Sequence, residues 1–271
     1  MSIESPLKSD EETQAIEITS PDEAVALITI KSEPLGVLRH AVKRALMRAI
    51  TELENNPRIR CVLLTGRGKA FSVGSDIRDF SPDPGWLLEN DYWESSLNQC
   101  IEDARFPVIA VCNGAALGGG AVLALACDFR IAADCAIFGF PEVKVGAFAS
   151  GSGTQRLPRL LGRGRAMELL LTGRTITAQE ALAIGLVEYI FPKEDLQNEA
   201  LKIARTIASY SASSTRATKQ SINHGLRAGW QAGLALESDL RVKTGGNADA
   251  LEGRNAFLEK RPPKFNQGDE A

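Results

Sequence analysis

Two glycine-rich loops, each entered from a short and almost wholly apolar run, constrain this chain more than any other feature. The first run, Ile59-Arg60-Cys61-Val62-Leu63-Leu64, opens into GRGKAFSVGSD, residues 66–76. The second, Pro107-Val108-Ile109-Ala110-Val111-Cys112, opens into NGAALGGG, residues 113–120, and then the apolar stretch AVLALAC. Apolar runs this short, without polar alternation, suit strands of a sheet covered on both faces. Glycine lets a ligand approach the main chain closely, and a helix start offers unpaired N–H groups with positive dipole character. Two such loops brought together can aim two N–H donors at one developing oxyanion.

The rest of the pattern gives these loops a setting. Residues 24–30 (AVALITI) read as a strand, and Leu38, Val42, Leu46, Ala49, Ile50 and Leu53 recur at helical spacing, predicting a helix over Val37–Glu54. A further helix is expected over Asp91–Ala104, and DFRIAA and AIFGF read as short strands. From Gly153 onward helical patterns dominate, with one strand-like stretch, GLVEYIF. The order is that of an α/β core followed by helices. Residues 1–20, polar and acidic, are expected to form a disordered tail, 21–200 the core with its loops, and 201–271 a helical C-terminal region.

Several functions are excluded or weakened at this level. With 31 basic against 34 acidic residues the net charge is −3, which argues against a general nucleic-acid binder. No run approaches the roughly 18 apolar residues of a membrane span, and the N-terminus has no apolar secretory core. The five cysteines form no C-x-x-C pair, and His40 and His224 are the only histidines, so no metal site is expected and a cytoplasmic setting suits the free thiols. The G-x-G-x-x-G nucleotide fingerprint fails at Gly66, Gly151 and Gly162, where Phe71, Arg156 and Met167 stand at the last glycine position. Gly68-Lys69 is followed by alanine, so the phosphate-loop motif fails too, and there is no G-x-S-x-G elbow.

In KAFSVGSDI, PVIAVCNGAALGGGAVLALACDFRIAA, FGFPEVKVG, GTQRLPRLLG and LTGRTITAQEALAIGLV, in that order, the chain resembles the crotonase superfamily, the enoyl-CoA hydratase/isomerase family. The resemblance runs from about Ala24 to the C-terminus. It implies a crotonase-like α/β spiral of β-β-α turns with a helical C-terminal region. It also implies acyl-CoA substrates processed through an enolate, no cofactor beyond the CoA of the substrate, and a homotrimer or dimer of trimers. By the family's pattern the oxyanion donors are the amides of Ser75 and Gly119, and Glu142, after the proline of FGFPE, is the catalytic acid. The CoA then lies across the first loop, with Lys69, Ala70, Ser72, Gly74, Asp76, Ile77 and Gly118 as contacts. Phe257 and Lys260, in EGRNAFLEKRPPKF, reach its nucleotide end, often from a neighbouring subunit.

The family's second acid sits in the first turn after the triple glycine, and Val122 occupies that position. Hydration needs a water held and polarised between acid and base groups, and valine can do neither. Moving a double bond from the 3- to the 2-position needs one base, which takes a C2 proton and returns it at C4. The expectation is therefore 3-enoyl-CoA to 2-enoyl-CoA isomerisation with Glu142 as the shuttle. Hydration, thioester hydrolysis and C–C cleavage on the same oxyanion hole are the alternatives, as is a non-catalytic acyl-CoA-binding protein. An acid from elsewhere, such as Asp79 or Glu89, would replace the missing one. Asp76 and Asp128 have a bland alternative as backbone anchors. Further departures are the absence of asparagine in KSEPLGVLRHAV, and the turn VGAFASGSG, which lacks the family's proline and reshapes a pocket wall.

Overall fold

The computed structural model describes residues 14–32 and 35–266. Two sheets form the core. The larger has the order β1-β2-β3-β5-β7-β10: Ile16–Asp22, Val25–Ile30, Cys61–Gly66, Val108–Cys112, Phe129–Ala133 and Tyr189–Phe191. Its joins are parallel except β1 against β2. The smaller has the order β4-β6-β8-β9: Ala70–Ser72, Ala115–Leu117, Ile137–Gly139 and Thr175–Thr177. The chain passes from a strand of the larger sheet to one of the smaller and then into a helix. Thus β3 and β4 lead to α2 (Pro84–Asp103), and β5 and β6 lead to α3 (Gly119–Ala126). Next, β7 and β8 lead through a 3-10 turn, Pro141–Val145, to α4 (Gly153–Leu161). Each turn advances one strand along both sheets, which makes the spiral expected from the sequence.

Packing explains the apolar runs. Every residue of β3 and β5 is buried, because helices cover the larger sheet. One cover is α1 (His40–Glu54), packed on β1 and β2. Between α4 and the last cover come α5 (Arg163–Thr172) and α6 (Ala178–Ile184). That cover, α7 (Leu196–Ala208), lays Leu196, Ala200, Ala204 and Ala208 across β2, β3, β5 and β7; three alanines on this stripe let the helix axis approach closely. Helix α3 is buried on all sides, as its unbroken apolar sequence requires. Beyond the core lie α8 (Ala212–Ala228), α9 (Trp230–Gly245) and α10 (Ala248–Glu259). Lys219 fastens α8 to the core, its Nζ donating to the carbonyls of Ile101 and Phe106 at 3.1 and 3.0 Å and to Asp128 Oδ2 at 2.9 Å. Asp128 also accepts from Val108 N at 2.6 Å, so it is a backbone anchor.

Three boundaries differ from the sequence reading. The polar stretch expected to fray up to residue 20 includes β1, whose backbone pairs with β2 from Ile16 onward; residues 1–13 lie outside the described residues. The first helix starts at His40 rather than Val37, because Val37 bridges Gly74 and Leu38 N donates to Gly74 O at 2.9 Å. Helix α2 starts at Pro84, capped by Asp83 accepting from Trp86 N, well before Asp91. Its first turns show no amphipathic stripe because Leu87 and Leu88 are exposed. Cys61, Cys112 and Cys127 are buried free thiols, and burial pushes Cys61 and Cys127 up to about 12. Among the described residues no helix is long and apolar enough to cross a membrane.

Candidate active site

The two glycine loops cross at van der Waals distance. Ser72, fully buried at the end of β4, donates from Oγ to Gly36 O at 2.6 Å and accepts from Gly74 N at 3.1 Å. That fixes the chain as it enters Gly74, whose φ of +86° suits glycine alone. A Cβ on Gly74 would stand 2.6 Å from Gly119 N, and one on Gly119 would stand 3.7 Å from Ser75 N. The two amides therefore sit side by side. Gly119 is the first residue of α3, where intrahelical partners are missing, and among the described residues neither amide donates a hydrogen bond. The dipole of α3 adds partial positive charge at the same point.

Glu142 approaches this pair from the third turn of the spiral. It sits in the 3-10 turn after β8, and its Oε1 would be 3.5 Å from a Cβ on Gly118. Its Oε2 is buried with no hydrogen-bond partner. Burial raises its pKa above the ordinary carboxylate value; its own backbone amide opposes this, and the nearby negative charge of Glu94 adds to it. A carboxyl so placed holds its proton to a higher pH than an exposed one, which suits proton transfer.

Val122, at the position of the family's second acid, is buried against Gly153: a Cβ there would be 2.8 Å from Val122 Cγ2. Neither acid suggested by the sequence lies beside it. Asp79 pairs with Arg39 at the surface, and Glu89 accepts from Trp93 Nε1. The carboxylate that lines a cavity with Val122 and Gly119 is Glu94 of α2. Its Oε1 accepts from Ser75 Oγ at 2.6 Å, Lys43 Nζ at 2.9 Å and Asn90 Nδ2 at 3.2 Å. Lys43, buried on α1, also donates to Ser75 Oγ at 3.1 Å and Asn90 Oδ1 at 2.8 Å. Burial pushes Glu94 up, but the Lys43 charge and these hydrogen bonds outweigh it and hold the carboxyl below its ordinary value. Glu94, Lys43, Asn98, Gly119, Val122, Leu38 and Leu97 enclose a cavity of about 10 Å³.

Sequence reasoning missed this cluster, although it left a trace. Lys43 precedes Leu46 and Ile50 by three and seven residues, and Glu94 precedes Leu97 and Ile101 by the same steps, so both charges lie on buried faces. His40, set aside as without a role, contacts Asn90 Oδ1 through Nε2 at 3.3 Å.

The remaining expected contacts divide. Lys69 and Ile77 are exposed beside the loops, and Gly74 and Gly118 lie within them. Ala70 and Ser72 are fully buried, with Ser72 Oγ committed to the loop, so their side chains cannot meet a ligand there. The Asp76 side chain is taken by Arg78 and Arg39, at 2.7–2.9 Å, and caps the following 3-10 turn; the bland reading of this residue holds. Phe257 is 84% exposed on α10 and Lys260 ends that helix, and no described contact brings either to the loops. A cavity of about 670 Å³ lies among α2, α4 and α8, and none of Ser75, Gly119 or Glu142 lines it.

The sequence profile of the enoyl-CoA hydratase/isomerase family matches residues 20–268. A crotonyl-CoA hydratase of Syntrophomonas wolfei is 36% identical over 252 residues, covering 92% of this chain and 96% of that protein. YngF of Bacillus subtilis, named provisionally as an enoyl-CoA hydratase/isomerase, is 42% identical over 254 residues, covering 91% and 96%. The crystal structure of an enoyl-CoA hydratase from Bacillus anthracis superposes with a TM-score of 0.90 at 37% identity, over 94% of this chain and all of that one.

Proposed function

Because the chain belongs to the enoyl-CoA hydratase/isomerase family, we propose that it converts 3-enoyl-CoA thioesters to 2-enoyl-CoA thioesters. The Ser75 and Gly119 amides hold the enolate oxygen and Glu142 carries the proton. The observation that carries this reading is the buried, unpartnered Oε2 of Glu142, beside the crossing of the loops. In the ionised form it takes the C2 proton. The C–H electrons form the enolate, whose oxygen accepts from both amides, and the carboxyl returns the same proton at C4. Each amide donor contributes about 2.7–4 kcal/mol to such a transition state, because it is preorganised. The CoA runs over the first loop past exposed Lys69, with Phe257 and Lys260 at its nucleotide end. The apolar surface of α9 and α10, with Trp230, Val242 and Phe257 exposed, is covered in a trimer or dimer of trimers.

The test is turnover of a 3-enoyl-CoA by the wild type and by Glu142→Gln. General acid–base catalysis contributes about 10²–10⁴-fold, so the variant should lose that much in kcat while binding a non-reactive acyl-CoA as before. Turnover within threefold of wild type would remove Glu142 from the chemistry. Acyl-CoA binding without turnover in either protein would favour a binding module.

A further inference from the structure

We propose that Glu94 is a second catalytic carboxylate of this site, reaching it from α2 instead of α3, and that through it the enzyme also adds water across 2-enoyl-CoA thioesters. This rests on the reading of Ser75, Gly119 and Glu142 given above. Three observations carry it. Glu94 and Val122 line one small cavity together with Gly119, so the carboxylate enters the space that an acid at position 122 would serve. That cavity, about 10 Å³, is close to the volume a single water needs. Every hydrogen bond described for Glu94 falls on Oε1. Oε2 faces Gly151, where even a Cβ would be 3.3 Å away, so the absence of a side chain there keeps that oxygen open.

The two carboxyls are also driven apart in proton affinity. Lys43 and its neighbours favour the ionised form of Glu94, and burial favours the protonated form of Glu142. Such a split assigns base and acid. A water donating to Glu94 Oε2 directs a lone pair at C3. As the C3–O bond forms, the C2=C3 pair moves into the enolate, the water proton passes to Glu94, and the Glu142 O–H bond breaks to form C2–H. The proton then returns from Glu94 to Glu142 through solvent. The product is the 3-hydroxyacyl thioester, and both carboxyls end as they began.

The experiment follows hydration of a 2-enoyl-CoA and isomerisation of a 3-enoyl-CoA side by side. Wild type should do both. Glu94→Gln should lower hydration at least 100-fold and isomerisation by less than tenfold, so their ratio changes by at least a factor of ten. If that variant does not fold, because Lys43 is left buried without its counter-charge, Lys43→Met/Glu94→Gln removes both charges and must show the same ratio change. In Lys43→Met alone, the low-pH limb of hydration should move to higher pH while that of isomerisation stays. A wild type that isomerises without hydrating overturns this proposal and leaves the role of Glu142 intact, as does an equal fall in both reactions, which would make Glu94 only a positioning residue for Ser75. Glu142→Gln sparing both reactions would overturn the earlier reading instead.

Discussion

The proposed oxyanion hole is made of main-chain amides, yet one side-chain change reaches it. Gly74→Ala puts a methyl group 2.6 Å from Gly119 N, well inside the 3.4 Å at which ordinary contact begins. Two costs follow. Alanine at φ +86° carries roughly 1–2 kcal/mol of backbone strain. The methyl must also push the loops apart, and the two nearest backbone atoms belong to Gly119, one of the two donors. Losing one donor costs about 10²–10³ in kcat. The expected result is a folded protein, destabilised by roughly 1–3 kcal/mol in urea, with kcat on an enoyl-CoA reduced at least 100-fold. Gly185→Ala is the control: φ there is +81°, nothing stands within 4 Å, and it ends α6 away from the loops. It should pay the strain and keep its kcat. A folded Gly74→Ala enzyme with kcat within threefold of wild type would refute the crossing of the loops as the oxyanion site.

Three further outcomes are expected. Ser72→Ala strips the buried partner from Gly36 O and Gly74 N, and should cost about 1–3 kcal/mol in urea unfolding together with a fall in kcat; a stable, fully active variant would separate this hydroxyl from the loop. Lys219→Met leaves the Asp128 carboxylate buried without its cation and should cost about 3–5 kcal/mol, whereas a loss under 1 kcal/mol would mean that water replaces the ammonium. Glu142 binds its proton more tightly folded than unfolded, so its contribution to stability is largest below the ordinary carboxylate value of 4.5 and declines as pH rises from there towards its raised native value. Urea titrations across that range should find Glu142→Gln gaining on wild type as pH increases, and a gap that stays constant would show that burial does not perturb this group.

Much of the site could be read in one dimension because its donors belong to local motifs. A glycine-rich turn after a buried strand, and a triple glycine opening an apolar helix, specify their own backbone geometry. Glu142 follows a proline that starts its turn, and Val122 is visible as a carboxylate missing from a fixed position. Two short strands, β4 and β6, were hidden inside stretches that read as loops, because three residues are too few to show a period. The side chains of Ser72 and Asp76 hydrogen-bond within the first loop and its following turn, on either side of Ser75.

The sequence determined the order of strands and helices, the loops able to offer free amides, and the place of Glu142 after the proline of its turn, since each depends on residues near one another along the chain. Only the tertiary structure decided that the loops cross at Gly74 and Gly119, and that α1 and α2 bring Lys43 to Glu94 across 51 residues. The reason is physical: a charge on the apolar face of a helix announces a buried partner, but packing between helices chooses it, and neither helix alone encodes the other.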